Sequence, residues 1–119
     1  MSNLEKAQKL SLSDYQKRCC ETAIYPKEKG MGLYYCALGL SGEAGEIANK
    51  IKKVMRDASG SLAPERREQL SAELGDVLWY IASLCTELGV DMSDVAQRNI
   101  DKLNSRLERG VIGGDGDNR

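Results

Sequence analysis

The sequence contains no histidine and no phenylalanine, only two prolines, and one tryptophan beside five tyrosines. The missing histidine excludes the most. It removes Ser-His-Asp and Cys-His nucleophile systems, histidine-ligated zinc, and Glu-x-x-His di-iron sites. Any chemistry must rest on carboxylates, amines, thiols, or a metal held by oxygen. Long hydrophobic runs are missing too: mean hydropathy is −0.45, and no stretch approaches the roughly 18 apolar residues that span a bilayer. The start, Met1-Ser2-Asn3-Leu4-Glu5, lacks the apolar core of a signal peptide. No Cys-x-x-Cys pair occurs among Cys19, Cys20, Cys36 and Cys85, so they read as buried thiols of a reducing compartment. Nor does either charge sign dominate. Seventeen Lys+Arg against eighteen Asp+Glu leave a net charge of −1, which speaks against counterion-driven nucleic-acid binding and against a basic membrane-surface helix.

What is present is helical. A chain of 119 residues supports one core, with about two-thirds of its unfolded surface buried on folding. We expect a single domain over 1–119, with 1–12 as an N-terminal extension and 110–119 as a glycine-rich tail. Both prolines punctuate helices. A first helix runs from near Ser13 to Tyr25 and stops before Pro26. A loop from Pro26 to Gly32 leads to a second helix, Leu33 to Asp57. Ala58-Ser59-Gly60-Ser61 forms a linker, and Pro64 opens a third helix that ends at Leu88 with Gly89 as its stop. Asp91 or Ser93 caps a fourth, reaching Arg109. No β-alternation persists and no repeat is evident, so the fold class is all-α.

At 100° per residue, Leu33, Ala37, Leu40, Ala44, Ile47, Ile51 and Val54 form one apolar stripe on the second helix. Glu43, Glu46, Lys50 and Lys53 lie about 100° away. On the third helix, Leu70, Leu74, Val77, Ile81, Leu84 and Leu88 are apolar, with Glu73, Asp76, Tyr80 and Ser83 at the same offset. On the fourth, Met92, Ala96, Ile100, Leu103 and Leu107 face inward beside Asn99, Lys102 and Arg106. Three matching polar edges can converge in a bundle.

Glu43-x-x-Glu46 and Glu73-x-x-Asp76 are the central constellation. An i,i+3 pair sets two carboxylates on one helix face, and two such pairs on facing helices surround one point. Crowded carboxylates need cations, and hard ions such as Mg²⁺ or Mn²⁺ suit oxygen ligands. Glu-x-x-Glu is also common on solvated helices. Glu65-x-x-Glu68, beside Arg66 and Arg67 in a first turn, suits the helix dipole and carries no chemistry. Gly39, Gly42, Gly45 and Gly75 lie inside predicted helices, for tight packing or for ligand approach. Gln16, on the apolar side of the first helix, needs a partner in the core or in a ligand. Trp79 points away from its helix's apolar stripe, which suggests a subunit interface.

These residues and their surroundings resemble the MazG-like family of all-α nucleoside triphosphate pyrophosphohydrolases. The similarity spans roughly residues 13 to 119. It takes in Asp14-Tyr15-Gln16, Tyr25-Pro26 and the run from Tyr34-Tyr35 to Glu43-Ala-Gly-Glu46. It continues through Lys50-Ile-Lys-Lys53 and Glu73-Leu-Gly-Asp76-Val-Leu-Trp-Tyr80 to Gly116-Asp-Asn-Arg119. The spacer between the acidic pairs is 26 residues, 47 to 72. The resemblance implies a four-helix bundle that cleaves a nucleoside or deoxynucleoside triphosphate between the α and β phosphates. Glu43, Glu46, Glu73 and Asp76 would be catalytic and would bind Mg²⁺ or Mn²⁺, more than one ion per site. Lys53, Asn99, Lys102 and Arg106 would meet the phosphates, and Gln16 and Tyr80 the base or sugar. Asp117 and Arg119 either close over the nucleotide or belong to a free tail. The resemblance also implies a homodimer or homotetramer in the cytoplasm of a bacterium or of a phage-infected host. Two rivals remain: a viral enzyme narrow for one deoxynucleotide such as dGTP or dCTP, and a non-catalytic helical interaction protein.

Overall fold

The computed structural model describes residues 9–119, so residues 1–8 of the expected N-terminal extension lie outside the described residues. Four α-helices and no strand occur among the described residues: α1 Leu12–Cys19, α2 Met31–Ala58, α3 Pro64–Leu88 and α4 Met92–Glu108. The all-α expectation holds, and none of these helices is long and apolar enough to cross a membrane.

Helix ends follow local chemistry. Ser11 caps α1 by accepting from the Asp14 amide at 3.0 Å. Pro64 occupies the first turn of α3, and Gly89 ends it with φ 72°. The Asp91 carboxylate accepts from the Ser93 and Asp94 amides and caps α4.

The first helix is shorter than its sequence suggests. Its α geometry ends at Cys19, and a 3₁₀ turn, Cys20–Thr22, replaces the last turns before Pro26. A second 3₁₀ turn, Glu28–Gly30, includes left-handed Lys29 (φ 54°) and Gly30 (φ 77°). That bend lets α2 start at Met31, two residues before the expected Leu33.

Helices α2 and α3 form a long antiparallel hairpin, and α1 lies across α3. Helix α4 packs mainly on α1 and only marginally on the hairpin. The bundle is therefore open on one side. Its Cα radius of gyration is 17.8 Å, against about 13.5 Å for a closed domain of this length. Cys19, Ala82, Cys85 and Met92 form the buried core, with Tyr15, Trp79, Ile81 and Val90 packed on it.

Trp79 corrects the outward placement expected from the helical wheel. Its indole N–H donates to Thr22 Oγ1 at 2.8 Å, and its ring packs against Tyr25 and Tyr80. The docking of α1 and its 3₁₀ extension supplies a second inner face to α3, which a single-stripe wheel does not anticipate.

Candidate functional site

The contact seam between α2 and α3 does not follow the apolar stripe of α2. It runs along Gly32, Cys36, Gly39, Leu40, Glu43, Ile47, Lys50 and Val54, all buried or half-buried. Leu33 and Ile51 stay 36% and 42% exposed. The seam is displaced toward the polar edge, so Glu43 and Glu73 sit half-buried in the helix interface while Asp76 and Glu46 stay exposed at its border.

There, Glu43, Glu73 and Asp76 each bring a carboxylate oxygen within 4.8 Å of the others. The Glu43 carboxyl is pushed above its ordinary range. Its hydrogen bond with Glu73 is the largest cause, followed by burial and then the charges of Asp76, Glu73 and Glu46. A carboxyl raised by neighbouring carboxylates marks a site short of positive charge.

One cation already answers that shortage. Lys50 Nζ lies 3.4 Å from Glu73 and 4.0 Å from Glu46. Glu46 stands apart from the trio, its side chain 56% exposed toward solvent. Periodicity put Lys50 on the same stripe as the acids, but gave no sign that it would fill the gap between them. Lys53, one turn on, is half-buried and has no ion pair to an acid among the described residues.

An aromatic layer adjoins the acids one turn away. Tyr25 stacks on Tyr35 at 5.1 Å, Tyr35 meets Tyr80 at 6.4 Å, and Tyr80 meets Trp79 edge-on at 5.1 Å. Burial first, then Tyr35 and Glu43, raises the Tyr80 phenol's pKa, which ties this layer to the acidic one. Tyr35 and Tyr25 were visible in the sequence only as neighbours of motifs.

Gly32, also inside α2, is buried against the Glu87 carboxylate and Tyr25; of Gly39, Gly42, Gly45 and Gly75, only Gly39 is needed for close packing. A Cβ there would fall 2.2 Å from the Tyr80 ring, whereas Gly42, Gly45 and Gly75 face open space. Gly39→Ala gains up to ~1 kcal/mol of helix propensity but overpacks the seam at a cost of about 1–3 kcal/mol. We expect net destabilisation and a changed near-ultraviolet circular dichroism spectrum. A stabilised variant with an unchanged spectrum would show that Tyr80 is not held there.

The remaining expected contacts lie elsewhere. Gln16 spends its amide on the protein: Nε2 donates to Val90 O at 2.9 Å and Thr86 Oγ1 at 3.2 Å, while Oε1 accepts from the Met92 amide at 2.7 Å. It ties α1 to the α3–α4 turn, which supplies protein partners of the kind its place on the apolar side of α1 calls for. Asn99, Lys102 and Arg106 ride on α4, away from the hairpin seam. No hydrogen bond or ion pair joins them to the four acids among the described residues. Arg106, expected at the phosphates, is 4% exposed and bound to Asp117. The tail is folded, with Asp117 on α4 and Arg119 inside its own loop.

The MazG nucleotide pyrophosphohydrolase domain matches residues 35–111, from the aromatic layer through both acidic pairs to the end of α4. The chain belongs to the MazG family. The Gene 37 protein of Mycobacterium phage L5 is 54% identical over 109 residues, covering 88% of this chain and 96% of that protein. The uncharacterised protein YvdC of Bacillus subtilis strain 168 is 34% identical over 74 residues, covering 58% of this chain and 70% of its own length. No solved structure matches. MazG proteins are nucleotide pyrophosphohydrolases that generally depend on divalent metal, and an acidic cluster is present in this MazG chain.

Proposed function

We propose that the protein hydrolyses a nucleoside or deoxynucleoside triphosphate between the α and β phosphates, yielding the monophosphate and pyrophosphate. The convergence of Glu43, Glu73 and Asp76 at the hairpin seam carries this reading. The donor set fits a hard cation: three close carboxylates, one with a raised pKa, and a single lysine for compensation. Glu43, Glu73 and Asp76, with Glu46 at the open side, would hold Mg²⁺ or Mn²⁺, and more than one ion suits four acids. Such ions supply neutralisation of the triphosphate and activation of water toward the α-phosphorus.

The chain's own groups do the rest. Glu46, outside the tight trio and open to solvent, accepts the proton of the attacking water. Lys50, 3.4 Å from Glu73, and Lys53 would supply the positive charge for the phosphates. Tyr80, at the border of the acids, faces the base or sugar. The phage source of the 54% identical relative supports a second reading, narrow specificity for one deoxynucleotide such as dGTP or dCTP, which would reshape a precursor pool.

The exposed apolar residues support assembly with a second copy, as a homodimer or homotetramer. Leu38 is 74% exposed, Met55 69%, Leu74 59% and Leu107 66%, too many large side chains for an isolated surface. Sedimentation equilibrium reads this directly, and a monomer at all concentrations would refute it.

The enzymatic test is a panel of ordinary and modified NTPs and dNTPs with Mg²⁺ or Mn²⁺. Monophosphate plus pyrophosphate is expected, with no turnover after chelation. Diphosphate plus orthophosphate, or activity that survives chelation, would overturn the reading.

A pH dependence follows from Glu43. Its raised native pKa means that the folded, metal-free protein holds this proton more tightly than the unfolded chain does. The resulting stability is complete below the ordinary glutamate range and is lost as pH rises through the raised value. Cation binding needs the carboxylate deprotonated, so the thermal shift produced by Mg²⁺ should grow as pH rises from the ordinary glutamate range through the raised value. Melting curves with and without Mg²⁺ check it; a shift that ignores pH would remove Glu43 from the ion's ligands.

A further inference from the structure

Residues 110–119 form a knotted loop on the end of α4. The Arg119 guanidinium ties it by donating to the carbonyls of Val111, Gly113, Ile112 and Gly116. Arg109 Nη2 donates to Arg119 O at 2.8 Å. Gly110, Gly114 and Gly116, at φ 72°, 91° and 85°, permit the tight path. The knot delivers one carboxylate to α4: Asp117 Oδ1 accepts from Lys102 Nζ at 2.9 Å and from Arg106 Nη2 at 2.9 Å.

The fit is incomplete. The Asp117 main-chain oxygen also accepts from Arg106 Nη2, so the protein's acceptors crowd onto one nitrogen. Arg106 Nε, in a residue only 4% exposed, has no partner among the described residues. A guanidinium ordinarily presents Nε and Nη2 together to an oxyanion, and a buried charged donor without an acceptor is costly. On the turns of α4 that precede Arg106, Val95, Arg98, Asn99 and Lys102 line an open groove of about 280 Å³. Arg98, Lys102 and Arg106 are spaced i, i+4, i+8 and form a basic stripe on α4.

We propose that the tail is a displaceable anionic strap, in which the Asp117 carboxylate holds the place of a phosphate group on Lys102 and Arg106. This deepens the proposed function and rests on its reading of a nucleoside triphosphate as the substrate. A phosphate entering from the groove takes Lys102 first, displaces Asp117, and gives Arg106 Nε the acceptor it lacks. The ligand class is a di- or polyphosphate, either on a nucleotide or as released pyrophosphate. The side chain of Asp117 is 76% exposed, so displacement returns an already hydrated carboxylate to water.

The test uses the full chain with chelator present, so that no turnover occurs. Binding of inorganic pyrophosphate is measured by calorimetry, and amide exchange of residues 110–119 by mass spectrometry. Asp117→Asn is expected to bind pyrophosphate about fivefold more tightly, the upper range for exposed ion pairs. Arg119→Ala, which unties the loop without touching the α4 bases, should shift affinity the same way. In the unaltered protein, saturating pyrophosphate should speed exchange of 110–119. Lys102→Ala should abolish both effects. Asp117→Asn with equal or weaker affinity, or a tail whose exchange ignores pyrophosphate, would overturn the strap. Because hydrolysis is never read, these results stay separate from the product assay: the strap can fail while monophosphate is still formed. A non-hydrolysable α,β-imido-dGTP titration run in parallel separates substrate phosphates from free pyrophosphate as the displacing anion, and opening by neither overturns the proposal.

Discussion

Asp76→Asn and Glu73→Gln are each expected to lower kcat by more than about a hundredfold, since even groups that only support metal ligands cost 10–100-fold when removed. The fold should not suffer in parallel. Glu43, Glu73 and Asp76 stand within 4.8 Å of one another, and Glu43 is raised by its neighbours, so the metal-free seam stores repulsion. Neutralising one member relieves it. Melting temperature without metal should therefore hold or rise, while the stabilisation given by Mg²⁺ shrinks. Joint loss of turnover and of metal-free stability would mean that the acids are structural. Unchanged turnover in both variants would remove them from the chemistry.

The largest stability effect is expected at Trp79. Its ring joins the core to the tyrosine layer, and its indole N–H holds Thr22 at 2.8 Å. Trp79→Ala should cost about 3–5 kcal/mol, as for other large-to-small core changes. Trp79→Phe keeps much of the ring packing and loses the hydrogen bond, for which about 1 kcal/mol is typical. Urea unfolding at one fixed protein concentration measures both. A loss below 1 kcal/mol for the alanine variant would return Trp79 to the surface role that its helical position suggests.

That contrast shows where sequence is a sufficient guide. Pro64, Gly89 and Asp91 set helix ends through their own backbone chemistry, and the structure uses them so. The acidic pairs were legible because i,i+3 spacing fixes a common face whatever packs nearby. What periodicity cannot supply is how far round a helix its neighbour sits. The α2–α3 seam is rotated off the apolar stripe, which buries Lys50 against Glu73 and leaves Glu46 facing outward. The same limit hid the second inner face of α3 that covers Trp79. Gln16 signalled a need for partners, but those partners, at Thr86, Val90 and Met92, are distant in sequence. The tail's closure depends on one terminal arginine meeting four carbonyls, a pattern without periodicity.

The bonds made by Ser13 and Gln16 also carry a kinetic consequence. Each joins α1 to the α3–α4 region across 70 to 80 residues, whereas the α2–α3 hairpin closes through contacts around one short connection. Local pairing forms early, and distant closure waits on chain entropy. The hairpin that bears the acids should thus be the first part of the molecule to form, with α1 arriving late to seal the tryptophan beneath it.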